Sequence, residues 1–213
     1  MKLLAFAVVG LVSTLGSFAR AQEAVQAEEY SAPTERRGGF VLGLAPAYGL
    51  GQASGYPNEA DKLDRKEFQA NTQLGSAGYN SIWLGGALRD WFTFGLGASF
   101  GGVKGNHLSA DGASFVVRVE AFPLYTRGGK WRDLGLVSEF GAGFMTVKND
   151  AGDTVADGGS LSLVGLGAFY EPWRFWQFRI GPSLQYSQMF SQTLTAHFVS
   201  LGLRASFYGS LVD

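Results

Sequence analysis

Apolar and polar residues alternate along three segments of the chain, 92–101, 176–187 and 199–207. In the first segment one face carries only apolar side chains: Phe92, Phe94, Leu96, Ala98 and Phe100. Successive side chains of a strand point to opposite faces, whereas the residues on one face of a helix recur about every 3.6 positions. The two-residue period therefore predicts three β-strands.

Five further segments fit the alternation less closely: 39–49, 81–88, 114–122, 134–146 and 161–170. Together with the first three they predict an all-β chain of eight strands. A strand that crosses a membrane needs about 9–11 residues, and the spacing of the segments leaves room for this length. Ten strands is the alternative, if the long connection 51–78 contains a hairpin.

The connections between the predicted strands alternate in length. The first, third, fifth and seventh have loop-like sequences, at 51–78, 104–112, 148–159 and 188–195. The second and sixth are very short, at 89–90 and 171–174, and the fourth, 126–133, is longer than this alternation predicts. Short turns at one end and longer loops at the other are typical of outer-membrane barrels.

The bulky side chains of the alternating segments share one face, and the other face carries Gly, Ser, Thr and Gln with isolated charges. A water-soluble barrel fills its interior with large apolar groups and needs charges on its outside, which a face of Gly and Ser does not supply. Aromatic residues also recur at the predicted strand ends, where membrane barrels have interfacial girdles. We therefore predict an antiparallel, up-and-down transmembrane β-barrel with its apolar side chains toward lipid.

Composition excludes several classes of function. The chain has 213 residues, 31 of them Gly, and only 16% are charged, with a formal net charge of -1. This balance excludes a nucleic-acid binder held by a basic field. The absence of Cys excludes disulfide scaffolds, thiolate metal sites and thiol nucleophiles.

The N-terminal residues predict an exported protein. Lys2 precedes an apolar run over residues 3–15, and Ala19-Arg20-Ala21 forms a small-x-small cleavage site. We expect a signal peptide over residues 1–21, a flexible periplasmic leader over 22–37 and the barrel domain over 38–213. No later stretch has the composition of a membrane-spanning helix, since the uncharged run 180–203 is rich in Ser, Gln and Thr.

The segment Ser200-Leu201-Gly202-Leu203-Arg204-Ala205-Ser206-Phe207 resembles the C-terminal insertion signal of bacterial outer-membrane proteins. In that class the final aromatic residue usually ends the chain, whereas here residues 208–213 follow. The mature chain as a whole resembles small eight-stranded barrels of the OmpA, OmpX and OmpW kind. The resemblance implies a location in the bacterial outer membrane, with contacts to its lipid and lipopolysaccharide.

Strand parity predicts a charge network in the lumen. The residues that it places on inward faces are Arg118, Glu120, Glu139, Arg179 and Arg204. Glu171, at a Glu-Pro turn, is a further candidate. Buried charges have to be paired, so we expect a structural plug. The alternative is a gate that rearranges to pass solutes.

Other candidate chemistry is weak. His107-Leu108-Ser109 has a spacing similar to the His-x-Ser of outer-membrane lipid A deacylases, with Asp111 nearby, but it lies in a polar connection. Asn149, Asp150, Asp153 and Asp157 form an acidic connection without the spacing of an EF-hand. We predict no catalytic, cofactor-binding or metal-binding residue.

These observations predict a non-enzymatic small barrel with a structural or surface-contact role through its extracellular loops, acting as a monomer. A narrow conduit for small, hydrophobic molecules is the alternative, and a lipid-modifying enzyme is third. The sequence identifies no cofactor, no nucleic-acid partner and no protein partner.

Overall fold

The computed structural model describes residues 36–212. The predicted signal peptide and residues 22–35 of the predicted leader lie outside this range. The strands are β1 Arg36–Ala45, β2 Ala47–Gly55, β3 Ala70–Asn71, β4 Gly75–Arg89, β5 Phe92–Gly105, β6 Leu108–Ala121, β7 Leu134–Asn149, β8 Thr154–Asp157, β9 Leu161–Tyr170, β10 Trp173–Phe175, β11 Phe178–Phe190 and β12 Leu194–Val212. Three 3₁₀ helices lie between them, at Lys66–Phe68, Tyr125–Arg127 and Gly129–Asp133.

The strands close into a ring of eight. β1 and β2 form one long ring strand that is interrupted at Pro46, and the other members are β4, β5, β6, β7, β9, β11 and β12. All pairings are antiparallel, and β12 closes the ring because it pairs with β11 on one side and with β1 and β2 on the other. The predicted eight-stranded, up-and-down, all-β barrel is confirmed.

The alternative of ten strands is wrong. The first connection contains only the two-residue strand β3, which pairs with the end of β2 and does not enter the ring. Within residues 36–212, no helix is long and apolar enough to cross a membrane.

The connections differ in length from the prediction. Those at one end of the ring, called the odd end below, span residues 56–74, 106–107, 150–160 and 191–193. Those at the other, the even end, span 90–91, 122–133 and 171–177, and the first and last described residues of the barrel also pair there. The predicted loop at 104–112 is instead a tight hairpin. Asn106 and His107 both have left-handed φ angles, 50° and 59°, which the twist of a two-residue hairpin requires.

The apolar faces point outward, as the alternation predicts. The side chains of Phe94, Leu96 and Leu201 are 41%, 45% and 65% exposed, and Ile180 is half-buried. The opposite faces of the same strands are buried, including Thr93, Ser99, Ser200 and Ser206. The outer wall of the ring is therefore a continuous apolar surface.

Exposed aromatic residues surround the even end: Trp91, Trp131, Trp173, Phe175 and Trp176. Tyr125 and Tyr208, which the pattern groups with them, are buried, and so is Tyr79 near the odd end. Each of these three phenol groups has a carboxylate as hydrogen-bond partner inside the barrel or its even-end turns. Buried tyrosine hydroxyls need such partners, and the alternation alone does not reveal which tyrosines have them.

The interior is filled in two different ways. Toward the odd end it holds an apolar cluster whose larger members are Tyr79, Val103, Met145, Val147, Leu161, Leu163, Met189, Leu194 and Phe198. The alternation does not predict this cluster, because it places small or charged residues along the whole lumen. From the middle to the even end the interior holds charged side chains and a second, smaller apolar cluster of Phe122, Tyr125, Val137 and Phe169.

Candidate functional site

The charged half of the lumen is built on three strands and one turn. β6 supplies Arg118 and Glu120, β7 supplies Glu139, and β12 supplies Arg204. In each of these strands every second residue is buried, and these four residues occupy buried positions, so their side chains face inward. Arg118 lies directly opposite Glu139 in the β6–β7 register.

Glycines lie opposite the two arginines. Gly95 is opposite Arg118 in the β5–β6 register, and Gly181 is opposite Arg204 in the β11–β12 register. A Cβ added at Gly95 would lie 2.9 Å from the Leu84 carbonyl oxygen, and one at Gly181 would overlap the Tyr170 carbonyl. Glycine is therefore required at both positions by the close approach of the neighbouring backbone.

Glu120 is the centre of the network. Its Oε1 accepts hydrogen bonds from Arg118 Nε at 2.7 Å and from Arg204 Nη1 at 2.9 Å. Its Oε2 accepts from Arg204 Nη2 at 3.1 Å and from Thr93 Oγ1 at 2.9 Å. Both carboxylate oxygens are thus fully used, and the Arg204 contact is the bidentate geometry that makes the strongest pairs.

Glu139 extends the network toward the apolar cluster. It forms an ion pair with Arg118 Nη1, and its Oε2 accepts hydrogen bonds from the Tyr79 hydroxyl at 2.8 Å and from the Gln185 amide. Tyr79 belongs to the apolar cluster and also packs against Phe198, with ring centroids 5.8 Å apart. The charged and apolar halves of the interior therefore meet at Tyr79.

Glu171 extends the network toward the even end. Its Oε1 is 3.0 Å from Arg204 Nε, its Oε2 accepts from the Tyr208 hydroxyl at 3.2 Å, and Arg37 Nη2 lies 3.8 Å away. Arg37 also donates to Asp133 Oδ1 at 2.7 Å. Ion pairs therefore follow one another from the middle of the barrel to its even rim.

The predicted network has additional members. Arg37, Asp133 and Arg174, which donates to Asp133 Oδ2 at 2.9 Å, are not among the residues that the sequence identifies. Arg37 falls within the predicted leader, but β1 already begins at Arg36. Gly39 has the same parity as Val41 but is exposed, and the register shifts between Gly38 and Val41, so the alternation does not extend to Arg37.

Aromatic rings cover the guanidinium groups. The Arg118 guanidinium lies 3.9 Å from the centroid of the Trp83 ring, and that of Arg204 lies 3.7 Å from Phe169. At the even end the Arg37 guanidinium lies 3.8 Å from Phe122. Such cation–π contacts stabilise a desolvated cation, so the rings both fill the lumen and compensate for lost hydration.

Of the five predicted network residues, the structure brings Arg118, Glu120, Glu139 and Arg204 into direct ion pairs. The fifth, Arg179, is buried on the inward face of β11, opposite Ser206 of β12. The side chains of Arg118, Glu120, Glu139, Glu171 and Arg204 are at most 3% exposed. Any rearrangement that admits water to this cluster therefore has to break buried ion pairs.

The weak catalytic candidate does not form a site. His107 Nδ1 lies 2.9 Å from Asp150 Oδ2 rather than near Asp111, and both side chains are largely exposed. Ser109 lies in β6 opposite Lys104 and Lys148 of the neighbouring strands. An exposed His–Asp pair on a hairpin tip has none of the desolvation that activates a nucleophile.

The acidic connection forms a self-contained turn. Asn149 Oδ1 accepts hydrogen bonds from the backbone N–H of Ala151 and Asp153, and its amide donates to Asp153 Oδ2. Asp157 lies in β8 and binds the N–H of Gly159. Among residues 36–212, no three His, Asp or Glu side chains are placed to hold one metal ion.

Comparison with known proteins finds similarity at the level of structure. No protein-family model matches the sequence. No curated protein matches it either.

The chain is similar to Neisserial surface protein A (NspA), with 10% identity and a TM-score of 0.46 over 78% of this chain and 95% of that one. It is similar to Ail, the attachment invasion locus protein of Yersinia pestis, with 12% identity and a TM-score of 0.44 over 78% and 98%. It is also similar to the outer membrane protein OprG of Pseudomonas aeruginosa, with 12% identity and a TM-score of 0.40 over 83% of this chain and 99% of that one.

Proposed function

We propose that this protein is an exported bacterial outer-membrane barrel with a closed interior, and that it acts through the surface of its odd end. Its role is structural or one of surface contact, and it involves no catalysis. The surrounding lipid and lipopolysaccharide are its partners, and the chain acts as a monomer. The apolar outer wall supports the membrane location, since a water-soluble protein rarely exposes so large an apolar area.

The observation that carries the closed interior is the continuous filling of the lumen. The ion pairs centred on Glu120 occupy the even half, and the apolar cluster that includes Phe198 and Met145 occupies the odd half. Opening a path would require separating buried charges, and leaving one buried charge unpaired costs several kcal/mol.

The odd end offers a surface for contact. The connection 56–74 contacts β8 at this end, where the Asp157 N–H donates to the Tyr56 carbonyl at 3.2 Å. A groove of about 410 Å³ lies beside it, and its apolar lining includes Phe68, Leu108 and Val155. The rest of its lining comes from the connection 56–74, at Pro57, Glu67, Gln69 and Ala70.

Planar-bilayer conductance tests the closed interior. Purified, refolded protein should give no current steps above the bilayer background at 0.1 V in 1 M KCl. Liposomes loaded with a small sugar should likewise not swell faster when they contain the protein. Regular conductance steps or rapid swelling would contradict the proposal and would favour the narrow conduit.

Flotation with vesicles and heat-modifiable gel migration test the membrane location separately. We expect the folded protein to float with phospholipid vesicles and to migrate differently before and after boiling. Protein that remains soluble without detergent and does not float would contradict the membrane location itself.

A further inference from the structure

Basic side chains predominate at the even end. Arg89 lies at the end of β4, and Arg127 and Lys130 lie in the connection 122–133; all three are exposed. Among residues 36–212, no carboxylate lies within 4.0 Å of any of the three cationic groups. Two acidic residues of this end, Asp133 and Glu171, belong to the buried network. Asp90, between Arg89 and Trp91, accepts from the Tyr125 hydroxyl, so the surface combines three cations with one carboxylate.

The two turns that carry these cations form one surface. The Phe122 N–H donates to the Trp91 carbonyl at 2.8 Å, and the Tyr125 hydroxyl donates to Asp90 Oδ2 at 3.0 Å. These bonds fasten the connection 122–133 to the adjacent turn 90–91. The cations of both turns therefore belong to one patch.

Two glycines present the outer part of this patch to solvent. Gly128 and Gly129 have left-handed φ angles of 66° and 56°, and no atom lies within 4 Å of the position that a Cβ would occupy at either. Gly128 separates the 3₁₀ helices Tyr125–Arg127 and Gly129–Asp133, and Gly129 begins the second of them. Lys130 and Trp131 follow directly, and Trp131 is 60% exposed.

The opposite end has the reverse charge. The odd-end strand ends and connections carry eight acidic residues, Glu59, Asp61, Asp64, Glu67, Asp111, Asp150, Asp153 and Asp157. They carry five basic ones, Lys62, Arg65, Lys66, Lys104 and Lys148. The basic character is therefore specific to the even end and is not a property of the whole barrel.

We propose that Arg89, Arg127 and Lys130, together with Trp91 and Trp131, bind the phosphate headgroups of anionic phospholipids in the leaflet at the even end. Indole rings lie at the membrane–water interface because they are apolar with one polar N–H. Cations at the same level attract anionic headgroups. This inference rests on the proposed membrane location.

The position of the patch favours lipid over an acidic protein. Trp91 adjoins Phe92, with ring centroids 5.6 Å apart, and the neighbouring Leu88 is 66% exposed. The patch is thus continuous with the apolar outer wall. A headgroup bound there keeps its acyl chains against that wall, whereas an acidic protein would have to bind at the edge of the bilayer.

Native mass spectrometry of the detergent-solubilised full barrel tests the proposal. Phosphatidylglycerol and phosphatidylcholine with identical acyl chains are the two probes, so that only headgroup charge differs. We expect the wild type to bind phosphatidylglycerol at least about ten-fold more tightly, and the preference to weaken as salt increases. Equal affinity for the two lipids would overturn the proposal.

Two triple variants with the same change of charge locate the binding. The variant R89Q/R127Q/K130Q should lose the preference, with about a ten-fold decrease in phosphatidylglycerol affinity. The variant K62Q/R65Q/K66Q removes three cations from the odd end and should keep it. An unchanged preference in the first variant, or an equal loss in both, would overturn the assignment to this patch.

Two competitors identify the bound group. Inorganic phosphate at the concentration of the lipid should leave binding unchanged, because it lacks the acyl chains; displacement would show a general phosphate site and overturn the commitment to lipid. A peptide with the sequence of residues 22–35, which carries four Glu and no Lys or Arg, should also fail to displace lipid. Displacement by this peptide would show that the patch takes an acidic segment instead.

Vesicle flotation of the wild type separates this inference from the proposed function. If the barrel floats but shows no headgroup preference, the result contradicts only the proposed lipid-binding patch. If the chain does not float, the result contradicts the proposed membrane location as well.

Discussion

Arg204 of β12 and Glu120 of β6 form a bidentate ion pair across the lumen, with Nη1–Oε1 and Nη2–Oε2 distances of 2.9 and 3.1 Å. The two strands are not neighbours in the ring, so the pair joins opposite parts of the wall. Both side chains are almost completely buried. The pair therefore constrains the cross-section of the barrel in a way that backbone pairing does not.

Removing one member of this pair should destabilise the barrel strongly. Glu120→Gln leaves two arginines without their shared carboxylate, and breaking a buried pair in this way costs about 3–5 kcal/mol. Urea unfolding in phospholipid vesicles measures the change in free energy. Glu67→Gln is the matched control, because the side chain of Glu67 is 68% exposed and such a change is usually within about 0.5 kcal/mol. Equal, small effects of the two substitutions would contradict the structural role of the network.

A charge on the outer wall should be costly only where lipid covers it. Leu201 lies near the middle of β12 on the outward face, and Leu201→Arg should cost about 2–4 kcal/mol in vesicles, the range for an arginine near the bilayer midplane. Leu74 in the first connection is equally exposed, at 70%, so Leu74→Arg is the control and should change stability little. If the wall faced water, both substitutions would be nearly neutral.

A methyl group at Gly43 should disturb the network indirectly. Gly43 lies opposite Trp83 in the β1–β4 register, and a Cβ added there would lie 2.0 Å from the indole ring. Trp83 would have to shift, and its ring packs on the Arg118 guanidinium at 3.9 Å. We expect Gly43→Ala to cost about 1–3 kcal/mol, as overpacking does. At Gly86 the nearest atom to such a Cβ is 3.5 Å away, so Gly86→Ala should be tolerated in the same unfolding experiment.

Loss of one lumen arginine should not open the barrel. Arg179→Ala removes a buried side chain from the even half, but the apolar cluster around Met189 and Phe198 still closes the odd half. We therefore expect Arg179→Ala to remain without conductance in planar bilayers, like the wild type. Current steps in this variant but not in the wild type would support a gate and contradict a fixed plug.

The alternation of side chains predicts most of the wall but less of the ends. A period of two needs only local sequence, so the inward faces of β6, β7 and β12 and their charged residues could be identified. Arg37 and Asp133 could not, because the first lies before the assigned start of a strand and the second in a connection that packs back onto the barrel. Their pairing depends on tertiary contacts that no short-range pattern contains.

The tight hairpin at 106–107 shows a second limit. Polar residues such as those of 104–112 are typical of a loop, but here they continue the strands beyond the apolar band. Asn106 is a preferred residue for the first position of such a turn, but His107 occupies the second position, where Gly is preferred. The sequence therefore lacks the usual Asn-Gly signal of a two-residue hairpin. The alternation does not reveal the apolar cluster for a related reason, since Met145 and Phe198 share their inward faces with the charged residues Glu139 and Arg204.

The strict alternation of sign along Glu139, Arg118, Glu120, Arg204 and Glu171 restricts how this lumen can change over evolutionary time. Replacing any one of them by a neutral residue takes an ion-pair partner from at least one neighbour in a space that solvent does not reach. Descendants of this barrel should therefore exchange these positions as coordinated pairs or triplets. Exposed positions in the connections have no buried ion-pair partner, so single substitutions there should accumulate independently.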